Sequence, residues 1–130
     1  MGLPKAEAAR LKGRLRAWDS VAVPRWAGVP EAQCVQLGYF CMQLQAMQAA
    51  PDQPQASREA DLADTRLFRQ FNGFVLPGDA DGAPTWHNLI ADLRALLLKA
   101  RPQVIVLPTP LLDPHACLLY TSPSPRDRTR

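Results

Sequence analysis

The sequence predicts an α/β protein in which helices flank an incomplete parallel β-sheet. Several segments show the apolar periodicity of amphipathic helices, and the clearest of them, residues 84–102, is followed at once by a short apolar run at 103–107. A helix that leads into an apolar, β-branched run is typical of a buried parallel strand. With 130 residues, of which 47% are hydrophobic, the chain is long enough for one globular domain at most.

The first predicted helix covers residues 5–18, where Leu11, Leu15 and Trp18 form one apolar stripe. Lysine and arginine occupy much of the remaining surface. A basic helix can bind a membrane surface or a nucleic acid, but long basic side chains also lie along the surface of an ordinary amphipathic helix, and we favour the second interpretation. Residues 20–30 contain two prolines and a glycine, which predict an extended stretch with turns.

A second helix is predicted over 31–50, with Cys34, Leu37, Cys41 and Leu44 on one face. On such a helix the two cysteines lie about 10.5 Å apart along the axis, which is too far for a disulfide. Because no further Cys or His is nearby, we interpret them as buried packing thiols rather than as a metal or redox site. The odd total of three cysteines fits a reducing compartment, so we expect a cytoplasmic protein.

A third helix is predicted over 57–73, with Ser57 as its N-cap. The loop after it contains Asp79 and Asp81, which resemble the start of a calcium-binding loop. A third oxygen ligand is missing, and Ile90 stands where such a loop needs a glutamate. We therefore predict a turn without calcium.

The best-defined helix begins after Thr85, a suitable N-cap, and ends before Pro102, which cannot continue a helix. Its wide apolar stripe comprises Trp86, Leu89, Ile90, Leu93, Leu96 and Leu97. The run at 103–107 is the predicted strand, and a helix that leads into a parallel strand is half of a right-handed α/β crossover.

In open α/β sheets, ligands bind beyond the carboxyl ends of the strands. Residues 108–115 take that position here, and three prolines stiffen a loop that carries Asp113 and His115. A rigid loop with these side chains suits acid–base or metal chemistry, because catalytic geometry must be held closely. A polar surface loop explains the same residues equally well, and the residues alone leave both interpretations open. We interpret His87, in the first turn of a helix, as structural.

Residues 117–130 form a C-terminal tail that we expect to be unstructured, because it lacks helical or strand periodicity. The tail resembles the translation of a sequencing adapter, so we treat residues 1–116 as the domain and the tail as non-native. It carries three arginines and one aspartate, a net +2, which leaves +1 of the total +3 for residues 1–116. A charge this small gives no support to a nucleic-acid partner.

The run at 101–116, RPQVIVLPTPLLDPHA, resembles the strand and loop of the PIG-L/LmbE-like zinc-dependent N-deacetylases. In that family a strand of the type R-P-x-V-I-V precedes a loop that ends in an H-x-D-H motif. The leucine-rich helix before this run and the turn LPGDADG at 76–82 are also similar to the family pattern. The resemblance covers residues 58–116 with most force, and it implies a Rossmann-like α/β fold.

The resemblance implies a hydrolase that removes N-acetyl groups from N-acetylglucosamine-type substrates, either an acetylated amino sugar or a glycoconjugate. In the family, zinc is held by a His and an Asp of an early H-P-D-D motif and by the last His of H-x-D-H, and it polarises the acetyl carbonyl and activates water. His115 matches the first histidine of H-x-D-H. The resemblance assigns it as the catalytic residue that stabilises the oxyanion or protonates the leaving amine.

The match to the family is partial. No H-P-D-D occurs in the chain, and Cys117 and Leu118 stand where the second motif has its Asp and its last His. We therefore expect residues 1–116 to be a partial deacetylase domain. As a fragment, the chain is predicted to bind no catalytic zinc and to be inactive by itself.

Two other classes of protein remain as alternatives. One is a small helical binding or interaction module whose basic first helix meets an acidic partner. The other is a different Rossmann-like enzyme, such as a nucleotide-sugar enzyme, which is weaker because the chain has no G-x-G-x-x-G loop. No apolar stretch approaches the about 20 residues of a membrane-spanning helix, so a membrane span is not expected.

Overall fold

The computed structural model describes residues 2–107, and all regular elements within this range are helical. The α-helices are α1 (Lys5–Trp26), α2 (Leu44–Ala49) and α3 (Trp86–Ala100), and short 3-10 turns lie at Glu31–Gln33, Arg66–Phe68 and Pro77–Asp79. No strand occurs in the described residues, where an isolated antiparallel bridge joins Ser57 and Leu62. The predicted incomplete parallel sheet, and with it the Rossmann-like fold, is therefore wrong for the described part of the chain.

The apolar run after α3 does not form the predicted strand. Its four side chains are exposed to 78% (Val104), 58% (Ile105), 89% (Val106) and 50% (Leu107). A strand requires a neighbour that accepts and donates its backbone hydrogen bonds. Residues 2–107 offer this run no such neighbour, so its β propensity and its apolar side chains have nothing to pair with.

Helix α1 is longer than predicted, because it continues through the segment at 20–30 that we expected to be extended. Pro24 lies in its last turn, where a proline removes one backbone hydrogen bond without ending the preceding turns. The helix closes with the backbone N–H of Gly28 donating to the carbonyl of Arg25 at 3.0 Å, and Gly28 has a φ of +81°. A glycine in the left-handed region is a common end for a helix.

The two helices predicted between 31 and 73 are mostly absent. The first shrinks to α2, and in the second an antiparallel bridge and a 3-10 turn replace the helix. Gly38 gives one reason: its φ is +71°, and a Cβ at this position would lie 2.6 Å from the carbonyl oxygen of Thr65. The backbone thus leaves helical geometry and comes close to the segment at 65–69, which is possible for glycine alone.

Helix α3 agrees with the prediction at both ends. The Thr85 hydroxyl accepts a hydrogen bond from the backbone N–H of Asn88 at 3.2 Å, and Arg101 closes the helix in the left-handed conformation directly before Pro102. The buried face is narrower than predicted. Leu89 and Asp92 are buried, whereas several leucine and isoleucine side chains of the predicted stripe are exposed to between 36% and 46%, namely Ile90, Leu93 and Leu97.

The core is built from two sets of contacts: α1 packs on the turns at Glu31–Gln33 and Arg66–Phe68, and α3 packs on α2 and on the turn at Pro77–Asp79. Its most buried apolar side chains are Val21, Met47, Leu76 and Leu89. The rings of Phe40 and Phe68 pack edge to face, with centroids 6.1 Å apart. Within residues 2–107, the helices include no segment that is both long and apolar enough to cross a bilayer.

Candidate functional site

The catalytic residue assigned by the resemblance, His115, and its neighbour Asp113 lie outside the described residues. The other histidine, His87, lies in the first turn of α3 and is exposed. Its Nδ1 is 2.8 Å from a carboxylate oxygen of Asp52, so the pair joins the loop after α2 to the start of α3. This contact agrees with the structural role predicted for His87.

The two cysteines of the predicted second helix have different surroundings. Cys34 is buried and its thiol donates to the carbonyl of Pro30 at 3.8 Å, whereas Cys41 is exposed. The interpretation as buried packing thiols is confirmed for Cys34 and wrong for Cys41, because the helix that would have buried both does not form. Among residues 2–107, no three His, Cys, Asp or Glu side chains lie close enough together to hold a metal ion, so the described residues do not fit a zinc site.

The aspartates that resemble a calcium loop serve as turn residues. Asp81 accepts hydrogen bonds from the backbone N–H of Ala83 and from the side-chain amide of Asn88, both at 2.8 Å. Asp79 accepts one from the backbone N–H of Leu76, also at 2.8 Å. Carboxylates that accept backbone N–H groups a few residues away are typical of tight turns, as predicted.

A buried polar cluster of Tyr39, Arg69, Asp79 and Asp92 lies at the N-terminal half of α3. The Arg69 side chain is 3% exposed and uses three of its nitrogens. Nη1 donates to Asp79 at 2.9 Å, Nη2 donates to Asp92 at 2.7 Å, and Nε donates to the carbonyl of Leu37 at 2.8 Å. The planar guanidinium thus connects three separate segments of the chain in fixed directions.

Asp92 is the most deeply buried member of the cluster, with a side chain that is 0% exposed. Besides Arg69, its carboxylate accepts from the Tyr39 hydroxyl at 2.9 Å and from the backbone N–H of Gly78 at 2.7 Å. A Cβ at Gly78 would lie 2.8 Å from a carboxylate oxygen of Asp92. A side chain at position 78 would therefore displace the carboxylate, and glycine is required by this close approach.

The electrostatics of the cluster follow from its composition of one guanidinium and two carboxylates. Burial acts to lower the pKa of Arg69, but the hydrogen bond to Asp79 and the charge of Asp92 outweigh it and raise this pKa above its usual value. Burial and the adjacent negative charge of Asp92 raise the pKa of Tyr39 well above its ordinary range. The neutral Tyr39 hydroxyl and the backbone N–H groups of Leu76 and Gly78 donate to the two carboxylates and help to balance the excess of negative charge.

The cluster can position groups but offers no open coordination or catalytic position. Among the described residues, no buried side-chain nitrogen or oxygen lacks a hydrogen-bond partner. Arg69 and Asp92 instead fix the loop that carries Tyr39 and Leu37 against α3. Tyr39 is half-buried and also lines a cleft next to α1.

The cleft lies between α1, the loop at 36–43 and the turn at 57–60, and its volume is about 570 Å³. Its floor is formed by the small residues Ala9, Gly13 and Ala17 of α1. A Cβ at Gly13 would overlap the ring of Phe68, so glycine lets this ring lie against the helix backbone. The side chains of Arg16, Arg58 and Glu59 supply the charges that line the cleft.

Sequence reasoning missed both the cluster and the cleft. One signal was available for the cluster: Asp92 lies on the helix face between Leu89 and Leu96, where an aspartate interrupts apolar positions. A charged residue on a buried face requires a partner. The partner, Arg69, could not be identified because the helix predicted around it does not form.

Comparisons with known proteins give no match for this chain. No family model matches it, and neither a curated protein nor a solved structure is similar to it.

Proposed function

We propose that this chain contributes part of a metal-dependent hydrolase that removes N-acetyl groups from an acetylated amino sugar or glycoconjugate. The observation that carries the proposal is the run RPQVIVLPTPLLDPHA at 101–116, which resembles the family's strand and loop up to His115. In this proposal His115 stabilises the oxyanion of the tetrahedral intermediate or protonates the leaving amine.

Two structural features support the proposal. Helix α3 ends directly before this run, as the family pattern requires of the helix that precedes it. The apolar side chains of 104–107 are then exposed to between 50% and 89%. Four consecutive apolar residues in water are unfavourable, so we infer that another surface covers them in the working enzyme.

By itself, the chain lacks residues that the hydrolase reaction requires. Zinc ligands of the H-P-D-D type do not occur in the 130 residues, and Leu118 stands at the position of the last zinc-binding histidine. Zinc would supply polarisation of the acetyl carbonyl and an activated water. We expect this chain to have no deacetylase activity, and a calorimetric titration that gave sub-micromolar, one-to-one zinc binding would contradict this.

The decisive experiment recovers the DNA on both sides of the coding region from its source. We expect an H-P-D-D motif upstream, and codons for Asp and His directly after Ala116. The intact enzyme should then release free amine from N-acetylglucosamine-type substrates. His115→Ala should lower kcat by about 10²–10⁴-fold, because it removes a general acid or an oxyanion donor.

The second histidine provides a matched control for this experiment. His87→Ala replaces the same type of side chain at a position paired with Asp52, and it should leave the activity unchanged. Equal loss in both variants, or a recovered sequence without the two motifs, would overturn the hydrolase proposal.

A small helical binding module is the second candidate, and the length of α1 favours it. This helix has 22 residues and carries six Lys and Arg against two Asp and Glu. An acidic partner would therefore be attracted to it. Titration with polyglutamate at low salt should show binding that Lys5→Gln and Lys12→Gln weaken, and binding that is unaffected by these substitutions would remove this candidate.

A further inference from the structure

The outer side of α1 carries a row of exposed apolar residues, far along the chain from the proposed hydrolase residues at 101–116. Leu11, Leu15 and Trp18 are exposed to between 46% and 58%, and Trp26 is exposed to 93%. Together with two alanines that share this face, they form the outer stripe: Ala8, Leu11, Leu15, Trp18, Ala22 and Trp26. A contiguous apolar row on the surface, and above all an exposed tryptophan, is typical of a protein–protein interface.

The outer stripe contains a groove of about 340 Å³. Its walls are Trp18, Val21, Ala22, Arg25 and Trp26. The first four of these follow one another at spacings of three, one and three residues, which is the arrangement that receives one apolar side chain of a facing helix in coiled-coil packing. The ring of Trp18 packs edge to face against Phe71, with centroids 5.4 Å apart, so one wall of the groove has a fixed position.

The charged residues beside the outer stripe indicate which helix fits the groove. Glu7 and Arg25 are 18 residues apart, which is five full turns, so they lie along one edge of the stripe. Lys12 and Asp19 lie along the other edge, and all four residues are exposed. In an antiparallel pair of identical helices, each edge faces the same edge of the second copy. Glu7 then faces Arg25 of the second copy, and Lys12 faces Asp19.

The charge pairs and the apolar residues agree on one register. Both charge pairs are centred on residues 15–16, to within about 1 Å along the helix axis. With the two-fold axis there, Leu11 of the second copy lies opposite the groove around Ala22, and Leu15 packs against Trp18. A parallel pair would instead place Arg25 against Arg25 and Ala22 against Ala22, which brings like charges together and leaves a gap. The residues therefore favour the antiparallel direction.

We propose that α1 is a dimerisation surface at which two copies of this chain pack their α1 helices in antiparallel orientation through the outer stripe. Each groove receives Leu11 of the other copy, and every charge pair occurs twice, because a two-fold axis relates the copies. Burial of the apolar side chains supplies the attraction, and the charge pairs at the edges determine register and direction. The outer stripe shares no residue with 101–116, so dimerisation is independent of the hydrolase proposal.

The first test measures the mass of the full chain by sedimentation equilibrium across the micromolar range, where we expect a reversible dimer. Leu15→Glu places a charge at the centre of the outer stripe and should raise the Kd of the dimer by about 100-fold or more. Val23→Glu is the matched control, because it makes a similar change at an exposed position of α1 outside the stripe, and the dimer should persist. Both positions are exposed, so the fold should persist, which circular dichroism will verify.

The second test exchanges the charges of Lys12 and Asp19, because Arg25 also contacts Glu31 of its own chain at 3.7 Å. Lys12→Glu faces Asp19 of the second copy with a like charge and should weaken the dimer by about tenfold. K12E/D19K restores opposite charges and should recover most of this loss. In a parallel pair Lys12 and Asp19 do not face each other, so the double variant would not recover.

A chain that stays monomeric across this range, or a dimer that ignores Leu15→Glu, would overturn the outer stripe as the dimerisation surface. A double variant K12E/D19K that fails to recover would overturn the antiparallel register. A monomer that binds polyglutamate would overturn self-association and support an acidic partner for α1 instead.

Discussion

The two halves of α3 differ in a way that reverses the usual expectation for polar and apolar residues. In the first half, the charged Asp92 is fully buried, and Arg69 and Asp79 pack around it. In the second half, Leu97 and Leu98 are exposed to 46% and 64%, and the side chains of the apolar run at 104–107 are exposed to between 50% and 89%. The comparison teaches that, in this molecule, a side chain is buried where neighbouring groups can pack against it or form hydrogen bonds with it, and that its hydropathy alone does not decide this.

The physical difference between the two halves lies in their neighbours. The cluster at the first half joins four segments through hydrogen bonds of 2.7–2.9 Å, and no buried polar atom of the described residues is left without a partner. Beside the second half, the Phe74 ring lies 3.6 Å from the Lys99 ammonium, but Leu97 and Leu98 stay exposed. Its apolar surface therefore remains available to another surface, as the proposed hydrolase requires.

The largest effect is expected from breaking the cluster. Asp92→Asn leaves Arg69 paired with Asp79, but it turns one accepting oxygen into an N–H donor that faces the donors from Arg69, Tyr39 and Gly78. Because buried donors then lose their acceptor, the free energy of unfolding should fall by about 3–5 kcal/mol. Urea denaturation followed by circular dichroism measures the change. If Asp92→Asn proves neutral, the cluster does not hold the first half of α3 in place.

Asp64 provides the matched control for this substitution. Its carboxylate forms hydrogen bonds with the guanidinium of Arg66, as short as 2.7 Å, but the two side chains are 38% and 51% exposed. Exposed ion pairs contribute little to stability because water screens them. Asp64→Asn should therefore destabilise the protein far less than Asp92→Asn, although both remove one aspartate charge beside an arginine.

The next largest effect on stability is expected from a buried leucine that packs near the first half of α3, compared with an exposed leucine in the second half. Leu76 is 1% exposed and precedes the turn at Pro77–Asp79, on which the first half of α3 packs. Leu76→Ala should lower the free energy of unfolding by about 2–5 kcal/mol, because it removes buried methyl groups and leaves a cavity. Leu98→Ala makes the same change on the exposed half, and similar losses in both variants would contradict the difference between the two halves.

The sequence predicted those parts of the fold whose signals are local. Thr85 and Pro102 bound α3 through interactions within a few residues, so both ends of this helix could be predicted. Whether the run at 104–107 forms a strand depends on whether another strand lies beside it, and the residues of the run do not contain that information. The predicted sheet failed for this reason.

The candidate sites could be predicted only in part for a similar reason. The hydrogen bond from Tyr39 to Asp92 joins residues 53 positions apart, and the bond from Arg69 to Asp92 joins residues 23 positions apart. Such pairs follow from the tertiary fold rather than from periodicity. The aspartate on the apolar face of α3 indicated that a partner exists, but the identity of the partner depended on the loops at 36–43 and 65–72.

A smaller, pH-dependent effect on stability is expected from Tyr39, the half-buried member of the cluster. Tyr39→Phe removes the hydrogen bond to the Asp92 carboxylate and should cost about 1.5–3 kcal/mol at neutral pH. Burial, and then the charge of Asp92, raise the pKa of Tyr39 in the folded protein. Above about pH 10 the unfolded tyrosine therefore releases a proton that the folded one retains, and stability falls as the pH rises.

The measurement for Tyr39 is the free energy of unfolding of both proteins from pH 7 to pH 11. The stabilisation by Tyr39 is complete below the ordinary tyrosine pKa and is lost at higher pH, so the difference between the two proteins should narrow above about pH 10. Other groups that titrate in this range are common to both proteins and cancel. A difference that stays constant across the range would show that Asp92 does not perturb Tyr39.

The smallest effect concerns the start of α3 alone. Thr85→Ala removes the oxygen that accepts from the backbone N–H of Asn88, and it should lower the free energy of unfolding by about 1 kcal/mol. Thr85→Ser keeps that oxygen and should recover most of the loss. Hydrogen exchange at the first turn should speed up in the alanine variant and not in the serine variant. Equal losses in both variants would assign the effect to packing of the threonine methyl group, and the first half of α3 would then be held by the buried cluster without help from its cap.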